Sequence, residues 1–305
     1  MLSIRNNINT DVAIIGAGIS SLLAAYVFME KNIKVAVLAP DMMLEPNESE
    51  NYSLEKEINT LFSCFNNYNG MEFFPIILES LYVLEGLIEH LDDNCGYVYR
   101  PGLTFHSKKN PDKYFIDTPF SRHCEAFINP FKLRQELLKY LCINGVTVFE
   151  KNFVTAMDIT DHNVKLSVNK DYQVLCKRVL MSDRDMSLLF FDKPAGKTAV
   201  FEGNLYNSCI NKSPVVYGND NLVSYKYSYY PFISTNTISY YFNSSLNILD
   251  ENRAYIDIHK DYPNIYFNIV NDDQCILTAI IGLLCLSAHY IGRENKQLNL
   301  LKNIR

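Results

Sequence analysis

The run Gly16-Ala17-Gly18-Ile19-Ser20-Ser21 is the part of this 305-residue chain with the plainest chemical use. It follows an apolar stretch, Val12-Ala13-Ile14-Ile15, and opens a segment from Ile19 to Glu30 with Leu22, Leu23, Tyr26, Val27 and Met29 at helical spacing. Glycine at 16 permits a tight strand-to-helix turn, and glycine at 18 lets backbone N–H groups approach a pyrophosphate. The first helical turn adds unpaired donors and the positive end of a dipole. The third small position, normally Gly or Ala for close helix–strand packing, is Ser21. The chemistry this spacing predicts is the holding of a dinucleotide by residues 16 to 21. Val35 to Leu38 supplies the second strand of the unit, with Asn32 suited to the helix end.

An acidic residue that bonds the ribose is due at the end of that second strand, about 20 residues beyond the glycines. Ala39 stands there, and Asp41, two residues later, is the acid within reach. A solvated loop carboxylate is the alternative reading of Asp41. His106, His123, His259 and His289 show neither metal spacing nor a nucleophile partner. The eight cysteines include no CxxC pair, so no metal site is expected, and they read as buried reduced thiols of a cytoplasmic protein.

The elements that must carry the glycine turn can be read outward from it. Residues Phe73 to Leu91 repeat Ile77, Leu81, Leu84, Leu87, Ile88 and Leu91 at intervals of three or four, which predicts an amphipathic helix. Tyr97 to Phe105 reads as a strand with a turn at Pro101-Gly102. Asn129-Pro130 opens a helix with Leu133, Leu137, Leu138 and Leu141 on its apolar side, and Gly145 ends it. Strands are expected at Val146–Phe149, Val154–Ile159, Val164–Val168 and Lys177–Leu180, with a mostly β region from Val215 to Asp257. A strand at Ile265–Val270 and an apolar helix around Ala279–His289 close the pattern. The expected fold is α/β: a Rossmann-type nucleotide-binding domain (residues 1–75, 129–200 and 260–305) interleaved with a mainly antiparallel β domain (76–128 and 201–259).

Composition narrows the partners. The net charge of −6 is mild and unpatterned, with no basic stripe, so no nucleic-acid partner is expected. Gln274 to Ile291 is uncharged and near the lower length for a membrane span, but it contains Thr278, Ser287 and His289, which are costly in lipid. A buried helix is expected, without stable membrane insertion.

Four segments together resemble the D-amino-acid-oxidase-like FAD-dependent oxidoreductases, the group of glycine oxidase and sarcosine oxidase. They are Asp11 to Leu38, Asn129-Pro130-Phe131-Lys132-Leu133 through Val154-Thr155, Lys177 to Asp183, and Tyr255-Ile256-Asp257 through Ile265 to Gly292. The resemblance implies FAD as cofactor. It implies that the backbone at Val154 meets the adenine and that the last helix faces the flavin. It also implies oxidation of a C–N bond of a small amine or amino acid by hydride transfer to flavin. Such sites anchor a substrate carboxylate with Arg and Tyr. Arg253 lies in the matching sheet region, and Tyr225, Tyr227 and Tyr229 share one strand face, with Arg253 and Tyr227 as the candidate catalytic pair. A solvated Arg253 and ordinary sheet packing of the tyrosines are the alternatives.

The departures from this resemblance fall where the group has glycine. Met181-Ser182-Asp183 replaces an Ala-Thr-Gly turn, Asp257 replaces a glycine, and Asn271-Asp272-Asp273-Gln274-Cys275 replaces a glycine-rich turn. Side chains there occupy space that bare backbone leaves to the flavin ring. Negative charge beside the ring also opposes its reduction to an anion. Two expectations therefore stand together: a flavoenzyme acting on an amine or amino acid, and a degenerate relative that binds a nucleotide or a protein partner without catalysis.

Overall fold

A computed structural model of the chain describes residues 6–40, 52–55, 57–58, 61, 74–105, 120–169, 172–182, 215–218, 221–224, 254–270, 275–293 and 298. In chain order its strands begin with β1 (Ile8–Asn9), β2 (Val12–Ile15), β3 (Val35–Ala39), β4 (Tyr52–Ser53), β5 (Val98–Phe105), β6 (Phe120–Ile128) and β7 (Thr147–Glu150). There follow β8 (Val154–Ile159), β9 (Val164–Val168), β10 (Tyr172–Cys176), β11 (Arg178–Met181), β12 (Val215–Gly218), β13 (Asn221–Ser224), β14 (Tyr255–Ile258) and β15 (Ile265–Ile269). The long helices are α1 (Ile19–Met29), α2 (Phe74–Glu89), α3 (Pro130–Ile143) and α4 (Ile276–Tyr290).

A six-stranded sheet in the order β7-β3-β2-β11-β15-β14 is the centre of the fold. Its first five strands are parallel, and β14 joins the edge antiparallel to β15. The chain leaves β2 toward β3 on one side and later returns to β11 on the other. The carboxyl end of β2 is therefore the point where strand order reverses, the place where open α/β sheets bind ligands.

Both faces of this sheet are covered, which is why β2 and β3 read as unbroken apolar runs. Val12, Ile14, Val35, Val37, Leu180 and Tyr266 pack into a core with α1, α3 and α4. Ala13, Ile15, Ala36, Leu38, Val179, Met181 and Phe267 face the opposite way, against Val154, Leu166, Val174 and Cys176 of a smaller sheet ordered β1-β10-β9-β8. The smaller sheet is antiparallel except for the short parallel pairing of β1 with β10. A separate three-stranded antiparallel sheet, β4-β6-β5, and the β12–β13 hairpin complete the described elements.

Three local expectations change. Pro101 and Gly102 lie inside β5, in register with Cys124 and His123, and make no turn. The strand is at a sheet edge, where a residue without an N–H is tolerated. Helix α2 lies with the nucleotide unit, because Ile76, Ile77, Leu84 and Leu87 join the core that holds α1 and α4. Strand β14 likewise belongs to the central sheet. Helix α4 is buried along Ile276–Ser287, and among the described residues no helix is long and apolar enough to cross a membrane. Of the described cysteines, Cys95, Cys176 and Cys285 are buried thiols, whereas Cys142, near the end of α3, is exposed.

Gly282 sets how closely α4 lies on the sheet. A Cβ there would collide with Asn268 Oδ1 and come within 2.8 Å of Ile256 Cδ1. Alanine raises intrinsic helix propensity by about 1 kcal/mol, but overpacking a fixed core costs about 1–3 kcal/mol. Gly282→Ala is expected to lower the urea midpoint; an unchanged or higher midpoint would show that the helix has slack over β14 and β15.

Candidate functional site

The glycine turn sits at the carboxyl end of β2. Gly16 has φ +151°, a backbone conformation that L side chains avoid, and its N–H donates to Leu38 O at 3.1 Å. Gly18 is the extended residue that starts α1, with φ −84° and ψ 177°. Gly18, at the N-cap, has no side chain to cap the helix, and no acid lies in its first turn. Its dipole and forward-pointing amides therefore meet no opposing carboxylate on the helix itself.

The serines of the fingerprint serve the scaffold. Ser20 Oγ donates to Asn268 O at 3.1 Å on β15, and Asn268 Nδ2 donates back to Ser20 Oγ at 3.2 Å and to Ala279 O of α4 at 3.2 Å. Ser21 Oγ lies 2.6 Å from Ser182 Oγ, which donates to Ile15 O at 3.1 Å. These bonds fasten α1 to the end of β11, to β15 and to α4. Ile19 packs into the core with the rest of α1.

A cation unforeseen in the sequence reaches the turn. Arg134, on the second turn of α3, donates from Nη2 to Ala17 O at 2.8 Å. Its Nε is buried and has no hydrogen-bond partner among the described residues. The guanidinium thus holds the glycine turn and brings positive charge to it. Asn129 starts α3 by accepting from Lys132 N–H at 3.0 Å, with Pro130 in the first helical turn, so the sequence signal that opens the helix also sets the reach of Arg134.

Beside the turn, β3 ends at Ala39 and its register partner on β7 is Glu150, whose side chain is buried. Asn152 N–H donates to Ala39 O at 3.0 Å and Asn152 Nδ2 to Glu150 O at 2.6 Å, pinning the chain after β7 across the end of β3. Val154 begins β8 just beyond this link, buried at the carboxyl edge of the parallel sheet. The structure therefore brings Gly16–Ser21, Ala39 and Val154 to one sheet edge. Asp41, Tyr225, Tyr227, Tyr229, Arg253, Asp183, Asp272 and Asp273 lie outside the described residues. Asp257 lies on β14, where its carboxylate accepts from Ile258 N–H at 2.7 Å. His259 Nδ1 accepts from the N–H groups of Asp261 and Tyr262, and His289 Nδ1 meets Tyr266 Oη at 2.9 Å.

The start of α4 is built differently from that of α1. Glu57 is 4% exposed, and its carboxylate accepts from Leu277 N at 3.1 Å, Thr278 N at 2.6 Å and Thr278 Oγ1 at 2.7 Å. Burial pushes this acid up to about 7 against the pull of the helix donors, which favour its ionised form. A side chain remote in sequence thus satisfies amides that no water reaches.

No protein-family model and no curated protein matches the sequence. Solved structures do match along nearly their whole length. Glycine oxidase from Bacillus cereus has 13% identity and a TM-score of 0.55, covering 96% of this chain and 98% of that one. Glycine oxidase from Geobacillus kaustophilus has 12% identity and a TM-score of 0.57, with 95% and 96% covered. L-amino acid deaminase from Proteus myxofaciens has 11% identity and a TM-score of 0.56, with 97% and 93% covered. With a glycine turn at the switch point of a parallel sheet, helices on one face and a small antiparallel sheet on the other, this chain has the fold of the D-amino-acid-oxidase-like FAD-dependent oxidoreductases.

Proposed function

We propose that this chain binds FAD, with the pyrophosphate on the backbone of Gly16 to Ser20, and oxidises a C–N bond of a small amine or amino acid. The observation that carries this reading is the start of α1: a glycine in the left-handed half of backbone space, a second glycine at the helix N-cap, and Arg134 on the Ala17 carbonyl. This is the arrangement an anion needs, and the ADP half of the cofactor fits it. Val154 is the matching backbone position for the adenine. The amino-acid class of substrate follows from the names of the similar folds, glycine oxidase and L-amino acid deaminase. Bound flavin supplies the hydride acceptor. The chain supplies binding and orientation, with Arg253 proposed as anchor for a substrate carboxylate and Tyr227 as a pocket wall.

One observation favours a second reading, a non-catalytic relative that takes a nucleotide or a protein partner. The resemblance turns the last helix toward the flavin ring, and here Glu57 already holds the amides at the start of that helix. Amides that already donate to Glu57 are not free to donate to the oxygen of a reduced ring.

Titration calorimetry with ADP and FAD separates the two. FAD binding at least about a hundredfold tighter than ADP supports the flavoenzyme, and equal affinities support the second reading. Gly18→Val puts a side chain where the phosphate must sit, and both ligands should lose at least about tenfold in affinity. Unchanged binding would remove the pyrophosphate from this turn.

Glu57 also makes stability depend on pH. Its ordinary value is 4.5 and its folded value about 7, so the folded chain holds a proton that the unfolded chain has released between those limits. Its contribution to stability is therefore largest below about pH 4.5 and falls as pH rises toward 7. On the order of 3 kcal/mol is lost across the window at about 1.4 kcal/mol per pH unit. Urea unfolding near pH 5 and near pH 8 should show this loss in the wild type and a smaller one in Glu57→Gln. Parallel pH profiles for the two proteins would contradict it.

A further inference from the structure

Ala39 occupies the position where a dinucleotide-binding unit carries its ribose-binding acid, and it is a fully buried methyl. Its register partner across the β3–β7 ladder is Glu150. Strands in a sheet lie about 4.8 Å apart, and partners in register put their side chains on the same face. Ala39 packs into the helix-side core together with Val37 and with Val148, two residues before Glu150. Glu150 therefore stands beside Ala39 on the helix side of the sheet, at the carboxyl end, one strand further from the glycine turn. Its side chain is long enough to enter the space that a carboxylate at 39 would have reached.

Two further features set this residue apart. It is 7% exposed, so its carboxyl group is held within the fold at this edge of the sheet. Its backbone is also fixed, since Asn152 bridges the ends of β3 and β7 by donating to both Ala39 O and Glu150 O. A rigid neighbouring strand holds the acid in place, whereas Asp41 lies beyond the strand end.

We propose that Glu150 is the acceptor for the adenosine ribose hydroxyls, taking over from β7 the role that Ala39 cannot perform on β3. The proposal rests on the dinucleotide reading above and extends it to the ligand class: a 5′-diphosphate of adenosine with a free 2′-hydroxyl, and not a 2′-phosphorylated nucleotide. Buried carboxylate and phosphate would repel one another, while a hydroxyl donates to the same oxygen.

Calorimetry on the full chain with ADP, 2′-deoxy-ADP, 5′-AMP and adenosine 2′,5′-bisphosphate tests it. The wild type should bind ADP roughly ten- to hundredfold tighter than 2′-deoxy-ADP, as expected for a hydrogen bond to a charged group. It should bind 5′-AMP more tightly than the 2′,5′-bisphosphate. In Glu150→Gln, with folding checked by circular dichroism, the preference for ADP over its 2′-deoxy form should fall to within about threefold. Equal wild-type binding of ADP and 2′-deoxy-ADP, or tighter binding of the bisphosphate than of 5′-AMP, overturns the role of Glu150 and leaves the pyrophosphate turn standing. A preference that survives in Glu150→Gln does the same and directs attention to Asp41. If ADP does not bind the wild type at all, the dinucleotide reading fails and this proposal goes with it.

Discussion

The forward-pointing amides of a helix start need acceptors, and three helices of this chain meet that demand differently. Helix α3 uses its own Asn129. Helix α4 uses Glu57, brought from a distant part of the chain. Helix α1, whose residues from Ile19 to Phe28 are all buried, starts at a glycine, which has no side chain to offer. Glycine at 16 and 18 keeps the backbone there open to close approach, the feature on which the proposed pyrophosphate site rests. The Arg134 guanidinium beside it adds positive charge.

The scaffold around that helix is rigid for the same reason. Burial of β2 and β3 on both faces keeps water from the centre of the sheet, so polar groups beside them pair with one another. Asn268, Ser20, Ser21 and Ser182 do so, joining α1 to β11, β15 and α4. Their hydroxyl and amide groups hold the backbone beside the turn. The fold itself persists at 10–13% identity to the similar solved structures.

The parts of the fold legible in the sequence are those written in local periodicity. Val12-Ala13-Ile14-Ile15, the two glycines and the leucines of α1 identify the first strand–helix–strand unit, because both faces of the strand and nearly all of the helix are buried. The Asn129-Pro130 helix start and the burial of α4 follow equally local rules. Tyr172–Cys176 carries no such signal, because only Val174 and Cys176 are buried and its pairing with Val164–Val168 is a property of the sheet. Pro101-Gly102 read as a turn because edge position is a property of the sheet and not of the segment. Arg134, Glu57 and Glu150 were invisible for one shared reason: each meets its neighbours across a long stretch of sequence, through strand order and helix packing that no local pattern encodes.

What lies against the start of α1 decides whether this chain holds a dinucleotide. A crystal structure of the chain grown with ADP would show it directly. The expected result is a diphosphate against the backbone amides that follow Gly16, with its adenosine over the ends of β3 and β7. Diphosphate density elsewhere, or a helix start closed by another part of the chain in the presence of saturating ADP, would contradict the account.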